Sequence, residues 1–105
     1  MVTLPVEIPC KTIAAFCERN HIRKRSLFGS ILTPRFRDDS DIDMLVEFEP
    51  GRGPGLLGIA GMEIELSALL GRKVDLRTPR DLSRYFRDEV VASALLQYPP
   101  QERQA

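Results

Sequence analysis

The 105-residue chain predicts an α+β fold: a small β-sheet with helices packed on one face and an acidic cleft on the other. Three observations predict it. From Asp41 to Phe48 apolar and acidic residues alternate, the period-two signature of a half-buried strand, so Ile42, Met44, Val46 and Phe48 share one face and Asp41, Asp43 and Glu47 the other. From Leu56 to Leu70 apolar residues recur at Ile59, Met62, Leu66, Leu69 and Leu70 with Glu63 and Glu65 between them, the pattern of an amphipathic helix. The whole chain reads helix, strand, strand, helix, strand, helix, and three short strands need helices to cover their apolar face.

The first helix runs from about Pro9 to Asn20, with Ile13, Phe16 and Cys17 at helical spacing and Lys11, Glu18 and Arg19 facing water. Proline is tolerated at its start and Asn20 is a stop signal. Arg23-Lys24-Arg25 reads as a basic connector into a short strand, Ser26-Leu27-Phe28, that ends at Gly29. Residues Ile31 to Ser40, with Pro34, Asp38, Asp39 and Ser40, read as an irregular spacer holding at most a brief turn. After the aspartate strand, Gly51 to Gly55 form a glycine-rich loop. Gly71 closes the second helix as its C-terminal cap, and Arg72 to Thr78 read as a third strand with Val74 and Leu76 inward and Asp75 outward. Thr78-Pro79 opens a helical turn, and a last helix spans about Arg87 to Gln97 before Pro99-Pro100. Residues 1–100 are expected to form one domain and 101–105 a disordered polar tail.

Composition narrows the class. Fifteen basic and fifteen acidic side chains cancel, so the overall field does not favour general binding of nucleic acid or anionic membrane. No apolar run approaches the roughly 20 residues that span a bilayer. The N-terminal residues lack the basic start and apolar stretch of a signal peptide, so a cytoplasmic location is expected. Cys10 and Cys17 stand two helical turns apart, too far for a disulfide, and are expected as buried reduced thiols; His21 is expected on the surface where the first helix ends.

Gly29-Ser30, a ten-residue spacer and Asp41-x-Asp43 carry the chemistry. Two carboxylates on one side of a strand repel, and a divalent cation with hard oxygen ligands relieves that repulsion. Asp75, outward on its own strand, joins them if the strands pair. Three converging carboxylates suit a two-metal centre for phosphoryl or nucleotidyl transfer, with Asp41 and Asp43 on both cations and Asp75 completing the shell and taking the proton of an attacking hydroxyl. Glycine lets the backbone approach a triphosphate, and the Ser30 hydroxyl reaches a phosphate oxygen. Arg35 and Arg37 in the spacer, or Arg52 in the glycine loop, offset charge on departing pyrophosphate. Taken singly, Gly-Ser is a turn, Asp-x-Asp a solvated edge and Asp75 an exposed strand residue. Their conjunction favours the site, unless Asp75 points into the interior.

These residues resemble the signature of the DNA polymerase β-like nucleotidyltransferase superfamily, and in particular its prokaryotic minimal nucleotidyltransferases. The resemblance runs from about Phe16 to Leu82 and includes Ser40 to Phe48 and Gly71 to Leu76. It implies the nucleotidyltransferase fold, ATP and Mg²⁺ as cofactors, and phosphate and metal roles for Ser30, Asp41, Asp43 and Asp75. It further implies an antitoxin that transfers AMP to a tyrosine of a HEPN-family ribonuclease toxin encoded by an adjacent gene, in a hetero-oligomer. Ile31-Leu32-Thr33-Pro34 follows Ser30 where many members of that family carry an arginine-rich turn of small residues; Arg35 and Arg37 supply charge further along. Two other readings stand beside this one. The chain masks a toxin by contact alone, with Val90 to Tyr98 as an apolar docking segment or a core-packing helix, or it modifies a small acceptor such as an aminoglycoside, for which no second domain supplies walls.

Overall fold

Ile13, Phe16 and Cys17 are all buried, and the chain around them forms α1 (Cys10–Arg19) in the computed structural model, which describes Val6 and residues 8–98. Asn20 ends the helix by donating from Nδ2 to the Phe16 carbonyl at 2.9 Å. His21, half-buried and at φ 58°, turns the chain into the sheet. Cys17 is buried as expected, but Cys10 is exposed at the first residue of the helix; both are free thiols.

The expected basic connector is part of a strand. β1 runs Ile22–Phe28, with a register shift between Ile22 and Lys24 that turns Arg23 and Lys24 outward and Arg25 inward. Arg25 lies opposite Val46 on the core face, and only 2% of it is exposed. Its Nη1 donates to Gln97 Oε1 at 2.8 Å, its Nε finds no partner among the described residues, and burial lowers its pKa. A single-turn 3-10 helix, Gly29–Leu32, opens the spacer. β2 (Ile42–Phe48) then pairs antiparallel with β1.

α2 (Gly55–Leu70) crosses back so that β3 (Val74–Arg77) pairs parallel with β2, the β-α-β arrangement that parallel strands require. Met62 and Leu66 are buried and Ile59 and Leu70 pack at the core edge, whereas Leu69 is 40% exposed. Ile13, Phe16 and Cys17 of α1 join Met62 and Leu66 of α2 in one cluster with Leu27, Ile42, Met44, Val46, Val74 and Leu76. The two helices therefore cover one face of the sheet, as the alternation predicts. Leu45 is also buried, on the opposite face and outside that cluster, so the second face is not uniformly open.

The last helix is shorter than expected. After a 3-10 turn at Pro79–Asp81, closed by a capping box between Thr78 and Asp81, α3 covers Arg87–Ser93 and buries no residue. Leu95–Tyr98 is a fourth strand, β4, antiparallel to β1, and the sheet order is β3-β2-β1-β4. Two causes favour a strand here. The edge of β1 presents backbone groups that need partners, and proline at position 99 biases the residue before it toward extended backbone. The expected polar tail, 101–105, lies outside the described residues.

Arg25 generates a stability test. A guanidinium buried without a carboxylate partner gains little from its charge, while its stem fills space among Cys17, Met44 and Gln97. Arg25→Met is expected to be at least as stable as the parent in urea titrations. Arg25→Ala, which leaves a cavity, is expected to lose about 2 kcal/mol.

Candidate active site

The sheet brings the predicted aspartates together through its register. In the parallel pair, Asp43 lies directly opposite Asp75; in the antiparallel pair, Asp43 lies opposite Phe28, the residue before Gly29. Asp75 sits between buried Val74 and Leu76 and points to the other face, with its side chain about a third exposed at 32%. Asp41 stands one residue ahead of β2, and its side chain is more exposed. The three carboxylates thus gather at one end of β2 and β3, on the face away from α1 and α2.

The position of β3 is set by α2. Ser67 Oγ accepts from the Val74 N–H at 2.9 Å and Glu63 Oε2 accepts from the Leu76 N–H at 2.7 Å. Ser67 and Glu63 are four residues apart, hence on one side of the helix, and they match alternate donors on the outer edge of the strand. Gly71 makes the reversal between the two elements possible by taking the left-handed conformation at φ 66°. With Val74 and Leu76 so tied, Asp75 has only the other face to occupy.

Gly29 is the closest neighbour on the other side. It is left-handed at φ 78°, and a Cβ there would collide with the Asp43 carboxylate. No residue with a side chain fits without moving that carboxylate. Ser30 follows in the 3-10 turn, half-buried, its carbonyl accepting from both the N–H and Oγ1 of Thr33 at 2.9 Å. The first N–H groups of such a turn have no partner inside it and point outward.

Electrostatics follow from the register. Burial, then the charges of Asp75 and Asp41, hold the Asp43 carboxyl above its ordinary range, partly offset by Arg77. Lys73 Nζ lies 3.8 Å from Asp41 and Arg77 Nη2 lies 3.4 Å from Asp75. Among the described residues no trio of His, Cys, Asp or Glu is drawn close enough to hold a metal as it stands. The donors are nonetheless hard oxygens of crowded like charge, which is the chemistry a divalent cation fits.

Arg35, Arg37 and Arg52 are exposed, and none forms an ion pair with the carboxylates. The cations beside the aspartates are instead Lys73 and Arg77, which carry no motif signal in the sequence. Arg77 was legible: two residues beyond Asp75 on a strand, it must share the same face. Open clefts flank the aspartates. One of about 560 Å³ lies beside Phe28 and Gly29 against α3, and one of about 350 Å³ lies beside Asp75 and Arg77. Asp41 and Asp43 line neither.

Two measurements follow. Because the folded state raises the Asp43 pKa, its ionisation opposes folding, absent below the unfolded value near pH ~4 and present once pH exceeds the folded one. Asp43→Asn is therefore expected to melt above the parent at neutral pH without added metal, and the difference should vanish as pH falls below that of an ordinary carboxyl. Gly29→Ala is expected to be destabilised by more than ~1 kcal/mol in denaturant titrations, through left-handed strain and collision with Asp43.

Residues 9–97 match the nucleotidyltransferase domain family. A Methanocaldococcus jannaschii protein provisionally named a protein adenylyltransferase is 32% identical over 77 residues, covering 73% of this chain and 81% of its own. The protein adenylyltransferase MntA of Thermococcus cleftensis is 44% identical over 59 residues, 56% of this chain and 58% of its own length. A solved toxin–antitoxin structure with AMP-PNP superposes with a TM-score of 0.72 at 22% identity, covering 90% of this chain and 76% of that one, and so shares the fold. The chain belongs to the nucleotidyltransferase domain family, with protein adenylyltransferases among its relatives.

Proposed function

We propose that the protein is an antitoxin that transfers AMP from Mg-ATP to a tyrosine of a HEPN-family toxin and releases pyrophosphate. The observation that carries this reading is the register that sets Asp43 beside Asp75, with Gly29 against the Asp43 carboxylate. Family membership supports nucleotidyl transfer, the adenylyltransferase relatives support AMP as the group moved, and the toxin–antitoxin neighbour supports the partner.

The residues divide the work by position. Asp41, Asp43 and Asp75 would hold the divalent cations, whose charge, when bound, neutralises the triphosphate and the pyrophosphate that leaves. Gly29 and Ser30 admit the phosphates to the backbone of the 3-10 turn, where outward N–H groups and the Ser30 hydroxyl donate to phosphate oxygens. The tyrosine oxygen bonds to the α-phosphorus, the bond from that phosphorus to the bridging oxygen breaks, and pyrophosphate departs. Asp75 takes the phenolic proton, which suits its place at the outer strand of the group. Arg35 and Arg37, exposed on the spacer, offset the pyrophosphate charge once the triphosphate is in place. A protein acceptor brings its own surface, which suits the open clefts beside Gly29 and Asp75.

The test is an incubation of the chain with the HEPN protein of the adjacent gene, Mg²⁺ and ATP labelled in the α-phosphate. Label is expected on a tyrosine of the partner, and Asp41→Ala/Asp43→Ala is expected to abolish it. Full neutralisation of the toxin by that double variant, with no label from either protein, would favour masking by contact.

A further inference from the structure

Beside the carboxylates, Arg72 ties the spacer to the approach of β3. It follows Gly71 and precedes β3, three residues before Asp75. Its Nη1 donates to two carbonyls of the spacer, Arg37 at 2.7 Å and Ser40 at 3.1 Å. Its guanidinium carbon lies 4.7 Å from the centre of the Phe36 ring, and Phe36 packs against the core. The spacer folds around this point: the Arg37 N–H donates to Ser40 Oγ at 2.9 Å and the Ser40 N–H to the Arg37 carbonyl at 3.1 Å. Two residues on, the Ile42 N–H donates to the Lys73 carbonyl at 2.9 Å, which begins the pairing of β2 with β3.

We infer that Arg72 is a positioning residue, which pins the spacer to the start of β3 and so sets Asp41 and Asp43 in line with Asp75. A planar guanidinium reaches two carbonyls and stacks on a ring at once; an ammonium matches the charge but not that geometry. With both carbonyls held, Asp41 leaves the spacer from a fixed point. Without them, the ten residues between Gly29–Ser30 and Asp41 lose their anchor on the β3 side, and the carboxylates of β2 lose their common origin with Asp75. The inference rests on the proposed nucleotidyl transfer for its catalytic consequence, but not for its structural one.

The test compares Arg72→Ala and Arg72→Lys in the full chain by two readouts. The first, made without metal, nucleotide or partner, is amide hydrogen exchange. Ser40 and Ile42 are expected to exchange at least tenfold faster in both variants, while Leu27 and Val46 in the sheet keep parental protection. The second is labelled AMP transfer to the HEPN partner. In both variants kcat is expected to fall by roughly a hundredfold, as for misplacement by about 1 Å, and the Mg²⁺ needed for half-maximal rate to rise, while KM for ATP changes little. Parental exchange at Ser40 and Ile42 in Arg72→Ala would overturn the inference. So would a rise in KM for ATP that Arg72→Lys restores, since Arg72 would then act as a charge on the triphosphate. Absence of transfer by the parent would sink the proposed function and leave the exchange result to decide the role of Arg72.

Discussion

Two like charges in register on adjacent parallel strands are the constraint on which the site depends. Asp43 and Asp75 face each other across the β2–β3 ladder, with Asp41 one step outside it, and burial, reinforced by the charges of Asp75 and Asp41, holds the Asp43 carboxyl above its ordinary range. Like charges directly opposite weaken a sheet. The ladder persists because its other face is apolar: Ile42, Met44, Val74 and Leu76 are buried under the two helices. Packing on one face thus holds repulsion in place on the other.

The same logic explains the work done by α2. A short parallel edge strand is weakly specified by its own few hydrogen bonds. Here two side chains of one helix, Glu63 and Ser67, bond alternate amides along its outer edge, so the register is measured against the helix as well as against β2. A slip of one residue would exchange Asp75 for Val74 on the open face and break both bonds. Gly71 and Arg72 complete the device, one by reversing the chain and the other by seizing the spacer.

Across β2 the arrangement is governed by closeness. Phe28 opposite Asp43 brings Gly29 against the carboxylate, and the left-handed glycine then starts the 3-10 turn that carries Ser30. The backbone proposed to bind phosphate and the carboxylates proposed to hold metal are thereby neighbours with no intervening side chain. The cations nearest the aspartates, Lys73 and Arg77, belong to β3 and its approach, and they balance the acidic cluster from the side opposite Gly29.

The amino-acid sequence by itself determined the two periodic elements, the aspartate strand and the helix before Gly71, because one-sided burial writes its period directly into residue order. It likewise determined that Asp75 faces away from Val74 and Leu76, since that follows from alternation alone. Tertiary structure decided what depends on pairing. Arg23-Lys24-Arg25 reads as a polar connector, yet a shift in the ladder turns Arg25 inward beneath β4. Leu95–Tyr98 carries apolar residues that suit either a helix or a strand, and the open edge of β1 selects the strand. Arg72 and Lys73 are ordinary surface cations until the spacer folds back onto them. Contacts between residues 32 to 72 positions apart leave no period in the chain, so only the folded sheet reveals which charges meet.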